Sequence, residues 1–241
     1  MTYIKRELEQ VVLEVSKEYP VVILTGPRQV GKTTMLQKLM QGSERNYVTL
    51  DDLNERALAQ SDPQMFFQMH KPPVLIDEVQ YAPELLIYVK ILADRDHRPG
   101  DFWLTGSQAF RLTELAGESL AGRACLLHMT TLSQSERYGD GFSRPLILSV
   151  DALQERVKHR RPAETPEMFQ RIFQGSMPAL ASGAITKRNL FYSSYIATYI
   201  ERDIRQLSGM IDAVEFLRFL TAVACRAGQM VNYADIGNDM D

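Results

Sequence analysis

Residues 26–34 read GPRQVGKTT, and their reading decides the fold. They stand between an apolar run, VVILT at 21–25, and MLQKLM at 35–40, which suits a helix. The loop fits G-x-x-x-x-G-K-[ST] through Gly26, Gly31, Lys32 and Thr33. Each residue type has a physical reason. Glycines accept unusual dihedrals and let the backbone approach a ligand closely. The N–H groups of such a loop form a concave anion cradle. The N-terminus of the helix that follows adds roughly half a positive charge at the same point. Gly26, Pro27, Arg28, Gln29, Val30, Gly31, Lys32, Thr33 and Thr34 are therefore the expected phosphate-binding residues. Lys32 would reach the β- and γ-phosphates, and the Thr33 hydroxyl would ligate Mg²⁺. A random chain of this length shows the pattern about once in a hundred. The position between a strand and a helix sharpens it further.

The pattern extends outward from this loop. VVILT is rich in β-branched residues and apolar throughout, as in a strand buried on both faces. Upstream, IKRELEQVVLEVSKEYP carries Ile4, Leu8, Val11, Val12 and Val15 at helical spacing and stops at Pro20. Downstream, NYVTL at 46–50 predicts a second strand. A helical stretch broken near Asp62-Pro63 follows, then a third strand within PVLIDEVQ at 73–80. PELLIYVKILADRDH predicts an amphipathic helix, DFWLTGS at 101–107 a fourth strand, and RACLLHMTTLS at 123–133 holds a fifth. Alternating strands and helices imply a parallel sheet covered on both faces. Residues 138–167 are turn-rich and charged and predict a boundary region. Beyond them the strand signals give way to helices. The expected organisation is a nucleotide-binding domain over 1–137, a linker over 138–167 and a helical region over 168–241.

Further candidates follow the strand ends, because carboxyl ends of parallel strands face the ligand crevice. VLIDE ends in Asp77 and Glu78. Asp77 is placed to hold the Mg²⁺ shell and Glu78 to polarise the attacking water. WLTGS offers Ser107 first and Thr105 second to the γ-phosphate or the water. Arg123, entering the fifth strand, could stabilise transition-state charge within the chain or in a neighbouring subunit. It could equally be a surface arginine. Arg28 could meet phosphate or solvent. The chain has no NKxD to read guanine and no arginine-rich lid, so ATP is the expected nucleotide by elimination.

Composition excludes several classes. A chain of 241 residues, 45% hydrophobic and 24% charged, can bury a core. Its net charge of -3 shows no global affinity for nucleic acid. Two distant cysteines, Cys125 and Cys225, make neither a disulfide framework nor a metal cluster, which suits a reducing cytosol. The N-terminus has no apolar signal core, and no stretch reaches the roughly 18 apolar residues of a membrane span. A cytoplasmic protein without a membrane partner is expected.

Taken in order, GPRQVGKTT, YVTLDD, VLIDEVQ, WLTGSQ, SLAGR and YIERDI resemble a family of bacterial and archaeal AAA-type P-loop ATPases. In that family a C-terminal domain of unknown function follows the ATPase domain. The resemblance covers nearly the whole chain. It implies a core with an additional catalytic glutamate, sheet order 5-1-4-3-2, ATP as ligand, and a regulatory or switch role. Lys32, Thr33, Asp77 and Glu78 match the family's motifs, Ser107 matches its sensor position, and Arg123 matches its AGR position.

The tail leaves a second reading open. QMVNYADIGNDMD resembles the start of a helix-turn-helix or winged-helix unit, with Asn232 capping a helix from about Tyr233. The chain stops at Asp241 before a recognition helix. The family's chains run on into a nuclease-like region, so this chain is either truncated or naturally short; truncation is the expectation, since a half-finished helix-turn-helix buries little, and DNA is a possible partner only through a full-length C-terminal region. The basic run VKHRR at 157–161 suits a solvated face. Arg202, Asp203 and Arg205 could sense the nucleotide domain or make salt bridges along their helix. The alternative function is a nucleotide-gated DNA-binding or protein-interaction module with little hydrolysis, and a homo-oligomer suits either.

Overall fold

The structure is a computed structural model. It describes residues 3–107, 117, 119–138, 147–158, 164–199 and 212–238. His159, Arg160, Arg161, Arg202, Asp203 and Arg205 lie outside the described residues. The fold divides into two compact units, Met1–Thr186 and Lys187–Asp241.

The first unit is built on five parallel strands: β1 (Val21–Thr25), β2 (Asn46–Thr49), β3 (Val74–Asp77), β4 (Phe102–Gly106) and β5 (Ala124–His128). Their order is β2-β3-β4-β1-β5, which is the expected 5-1-4-3-2 read from the other edge. Register aligns the strand ends. Val21 faces Phe102 on one side and Ala124 on the other, and Thr25 faces Gly106 and His128.

Strand periodicity splits the core into two layers. Val21, Ile23, Val74, Ile76, Phe102 and Leu104 point to one face. There they pack on α3 (Leu53–Ser61), α4 (Pro63–Met69) and α5 (Leu85–Asp96) through Ala59, Phe66, Leu85 and Val89. Val22, Leu24, Leu75 and Trp103 point to the other. They meet Val12 of α1 (Leu8–Val15) and Met35 and Leu36 of α2 (Lys32–Leu39). This double burial is why β1 reads as an unbroken apolar run.

Local signals set the helix ends. The Asp52 side chain accepts from the N–H groups of Asn54 and Glu55 at the start of α3. Asp62 caps α4, with Pro63 in its first turn, which produces the break seen in the sequence. After β5 come α6 (Gln134–Tyr138), α7 (Val150–Lys158), α8 (Thr165–Gln174) and α9 (Pro178–Ala181). The stretch predicted as turns thus contains a helix, α7. The Ser149 hydroxyl accepts from the Ala152 N–H at 3.3 Å, and Val150, Leu153 and Val157 recur at helical spacing. Gly175, at φ 74, ends α8 and separates it from α9, so EMFQRIFQGSMPAL is two helices.

The second unit contains α10 (Arg188–Tyr199), α11 (Ala213–Cys225) and α12 (Tyr233–Asn238). Phe191, Tyr195 and Tyr199 form an aromatic row along α10, and Tyr199 meets Phe216 of α11 at 6.4 Å. No described helix is long and apolar enough to cross a membrane.

Candidate functional site

The carboxyl edge of the sheet carries the glycine loop. The chain leaves β1 at Thr25 and enters Gly26 with φ 140. A Cβ there would stand 2.1 Å from the Met129 carbonyl oxygen, so only glycine fits. Val30 is fully buried and anchors the loop in the core. Gly31, at φ 95, is the N-cap of α2. Gln29 also has positive φ, at 60°, while Pro27 and Thr34 are exposed and Arg28 is half-buried. Lys32 opens α2 from a buried position and donates from Nζ to the Gly26 and Pro27 carbonyls, each at 2.8 Å. The loop is therefore curled around the ammonium group.

Asp77, the last residue of β3, lies across from the start of α2. The Thr33 hydroxyl donates to its Oδ1 at 2.7 Å. The Thr105 hydroxyl, fully buried at the end of β4, donates to the same oxygen, and Tyr47 donates to Oδ2 at 3.4 Å. Burial first, and the Asp77 carboxylate second, push the Tyr47 phenol above its ordinary value. Since β4 lies between β1 and β3, its terminal threonine bridges the gap and fixes the carboxylate. Thr105 therefore serves Asp77 from inside the sheet, not a phosphate or a water at its surface.

Glu78 follows in the left-handed region, at φ 58 and ψ 44. Its N–H donates to Thr105 Oγ1 at 3.3 Å. Its Oε2 accepts from the Ser107 hydroxyl at 3.3 Å and from the Gln80 amide. Thr33, Asp77, Glu78 and Ser107, chosen separately from three motifs, are thus joined in one hydrogen-bonded group beside Lys32.

Arg123 is not part of it. It precedes Ala124, whose partner Val21 begins β1, and its carbonyl accepts from the Val21 N–H. The glycine loop leaves the other end of β1, about 13 Å away at ~3.3 Å per residue. The guanidinium is held by both Asp94 oxygens on α5. A catalytic role for Arg123 on phosphates bound in its own chain is incompatible with this position.

Two groups that the sequence reading passed over shape the site. Arg6 is only 5% exposed. It donates to the Val30 carbonyl at 2.7 Å, to the Thr130 carbonyl at 2.8 Å and to Glu136 at 2.9 Å. Ser133 and Glu136 cap each other reciprocally at the start of α6, an S-x-x-E signature legible in SQSE. Burial alone would raise the Glu136 pKa, but Arg6 and the N–H groups of Ser133 and Glu7 outweigh it and hold the group below its ordinary value. Beside the loop lies a pocket of about 240 Å³, bordered by Tyr3, Ile4, Gln29, Leu132, Pro178 and Ala179.

The oxygen donors suit a small hard cation. Thr33 gives its proton to Asp77 and keeps its oxygen lone pairs for a metal, and Asp77 supplies a carboxylate. Mg²⁺ needs only one or two such groups plus phosphate and water.

Residues 18–138 match a protein family described as an AAA domain, and residues 165–241 match a domain of unknown function. Uncharacterized proteins of Mycobacterium bovis and Mycobacterium tuberculosis are each 29% identical over 223 residues, covering 92% of this chain and 44% of theirs. The chain thus spans less than half the length of these relatives. A Walker-type ATPase of Pyrococcus abyssi has a TM-score of 0.55 at 16% identity, covering 99% of this chain and 89% of that one. At this identity the likeness concerns the fold.

Proposed function

The chain belongs to the AAA-domain family, and on that premise we propose that it binds Mg-ATP and hydrolyses it as a regulatory, conformational-switch ATPase. The observation that carries the reading is the Thr33–Asp77 contact of 2.7 Å beside the curled glycine loop, with Glu78 next in the chain. In this reading Lys32 exchanges its loop carbonyls for phosphate oxygens. Thr33 and Asp77 hold Mg²⁺, which when bound neutralises charge on the β- and γ-phosphates. Glu78 orients the attacking water and accepts its proton. Ser107 touches the γ-phosphate or that water. The apolar pocket beside Gln29 suits a purine base held by packing and backbone contacts. A cytoplasmic location fits the two free cysteines.

The test is phosphate release with calorimetric ATP binding. Lys32→Ala is expected to lose both, and Glu78→Gln to bind ATP but keep only a small residual turnover. Normal hydrolysis by Glu78→Gln overturns the base assignment, and absence of both activities in the wild type overturns the function.

A second reading, a nucleotide-gated DNA-binding or protein-interaction module, rests on α12. The Asn232 side chain accepts from the Ala234 N–H at 3.0 Å, a true N-cap. Mobility shift of the protein with ATP, ADP and no nucleotide tests it, and equal shifts in all three states reject gating.

A further inference from the structure

We propose that Gln80 is the positioning residue for Glu78, fixing the carboxylate that orients the attacking water; this rests on the ATPase reading above. Gln80 lies in the 3₁₀ turn Val79–Tyr81 that follows β3, two residues beyond Glu78, and is 2% exposed. Its Nε2 donates to Glu78 Oε2 and lies 3.4 Å from Ser107 Oγ. Ser107 in turn donates to the same Glu78 oxygen. The three side chains close a small ring at the ends of β3 and β4.

The other end of the amide shows what the residue is for. A carboxylate only accepts hydrogen bonds, so Gln80 must turn its NH₂ toward Glu78. That sends Oε1 into the interior, where it has no hydrogen-bond partner among the described residues. A buried acceptor without a partner lowers stability, and an apolar side chain of the same shape would not incur this. Packing alone therefore favours methionine or leucine at this point. What glutamine adds is the N–H donated to Glu78.

Glu78 needs such a contact. Its backbone sits in the left-handed region, and three side-chain torsions lie between it and the reacting water. Ser107 is half-buried and its hydroxyl can rotate to another acceptor, so it is the exchangeable partner. Gln80 is walled in and is the fixed one. Misplacing a catalytic group by about 1 Å costs about a hundredfold in rate.

The experiment compares wild type, Gln80→Met, Glu78→Gln and the double variant on the whole chain. For Gln80→Met we expect kcat to fall about ten- to a hundredfold. ATP affinity by calorimetry should stay unchanged, and the melting temperature should hold or rise. The double variant should be no slower than Glu78→Gln, because Gln80 acts only through Glu78. An unchanged kcat, or a further loss of the full factor in the double variant, overturns the proposal. Should Gln80→Met fail to fold, Gln80→Glu keeps the size but faces Glu78 with a second carboxylate. It is expected to lose turnover, and wild-type turnover rejects the role. If the wild type itself binds ATP without hydrolysis, the ATPase reading fails separately. A crystal structure of Gln80→Met then decides positioning: a carboxylate that leaves Ser107 supports it, and one that stays overturns it.

Discussion

Arg6 and Glu136, 130 residues apart in sequence, meet at 2.9 Å with both side chains only 6% exposed. The pair ties the segment before α1 to the cap of α6, and the same guanidinium holds Val30 of the phosphate loop. Removing one partner strands a buried charge, which costs about 3–5 kcal/mol. Arg6→Met is therefore expected to lower unfolding stability by roughly 3 kcal/mol. Arg6→Met with Glu136→Met should lose less than Arg6→Met alone, and urea unfolding of both variants checks the order.

The same pair sets an acid dependence. The folded pKa of Glu136 is held below its ordinary value, so folded Glu136 binds its proton less readily than the unfolded chain does. Its stabilisation is fully present above the unfolded value of about 4.3 and is lost as pH falls through the lower folded value. Stability measured from about pH 6 down to 3 should fall less steeply in Glu136→Gln than in wild type. Parallel curves would show that Glu136 does not carry the linkage.

Gly26 gives a steric prediction. An added Cβ would press on the Met129 carbonyl at 2.1 Å, a backbone atom that no rotamer change can move, and φ 140 disfavours a side chain besides. Gly26→Ala should cost about 3 kcal/mol and abolish nucleotide binding, because the carbonyl that holds Lys32 belongs to Gly26 itself. Gly42→Ala is the control. Its φ is also positive, at 81°, but a Cβ there meets nothing within 4 Å, so it should bind ATP normally. Calorimetry on the two variants separates the clash from the backbone strain.

How much of this was legible in the sequence follows from where the partners lie. The glycine loop and the strand-ending acids carry their chemistry in a few consecutive residues, and the structure joins Thr33 to Asp77 and Ser107 to Glu78 directly. Strand positions were legible because two-sided burial leaves apolar runs. Arg6 was not, since IKRELEQ looks like a solvated helix start and three of its acceptors are backbone carbonyls, which have no letter of their own. Thr105 and Ser107 were ranked by type alone. Position along β4 decides between them: Thr105 lies within the strand, fully buried against Asp77, while Ser107 lies just beyond its end. Helix α7 was hidden because its polar positions resemble a charged linker.

Thr33 offers a metal prediction with a built-in rescue. Thr33→Ala removes the hydroxyl that bonds Asp77 at 2.7 Å and, in the ATPase reading, one Mg²⁺ ligand. The Mg²⁺ concentration for half-maximal turnover should rise about tenfold or more. Thr33→Ser keeps the oxygen and should restore most of it. Equal behaviour of the two variants would remove Thr33 from the metal site.

Arg123 separates a lone ATPase from an assembled one. It lies at the amino edge of the sheet and is paired with Asp94, so it has no reach to phosphates on its own loop. In a chain shown to be monomeric, Arg123→Ala should leave turnover unchanged. A trans role makes a different demand: specific activity must rise with protein concentration in the wild type, and Arg123→Ala must lose the rise while still binding ATP. Asp94→Ala, which frees the guanidinium, would then keep it. A concentration-independent rate in the wild type confines Arg123 to its ion pair, and the arginine that meets the γ-phosphate, if the reaction uses one, has to come from another position.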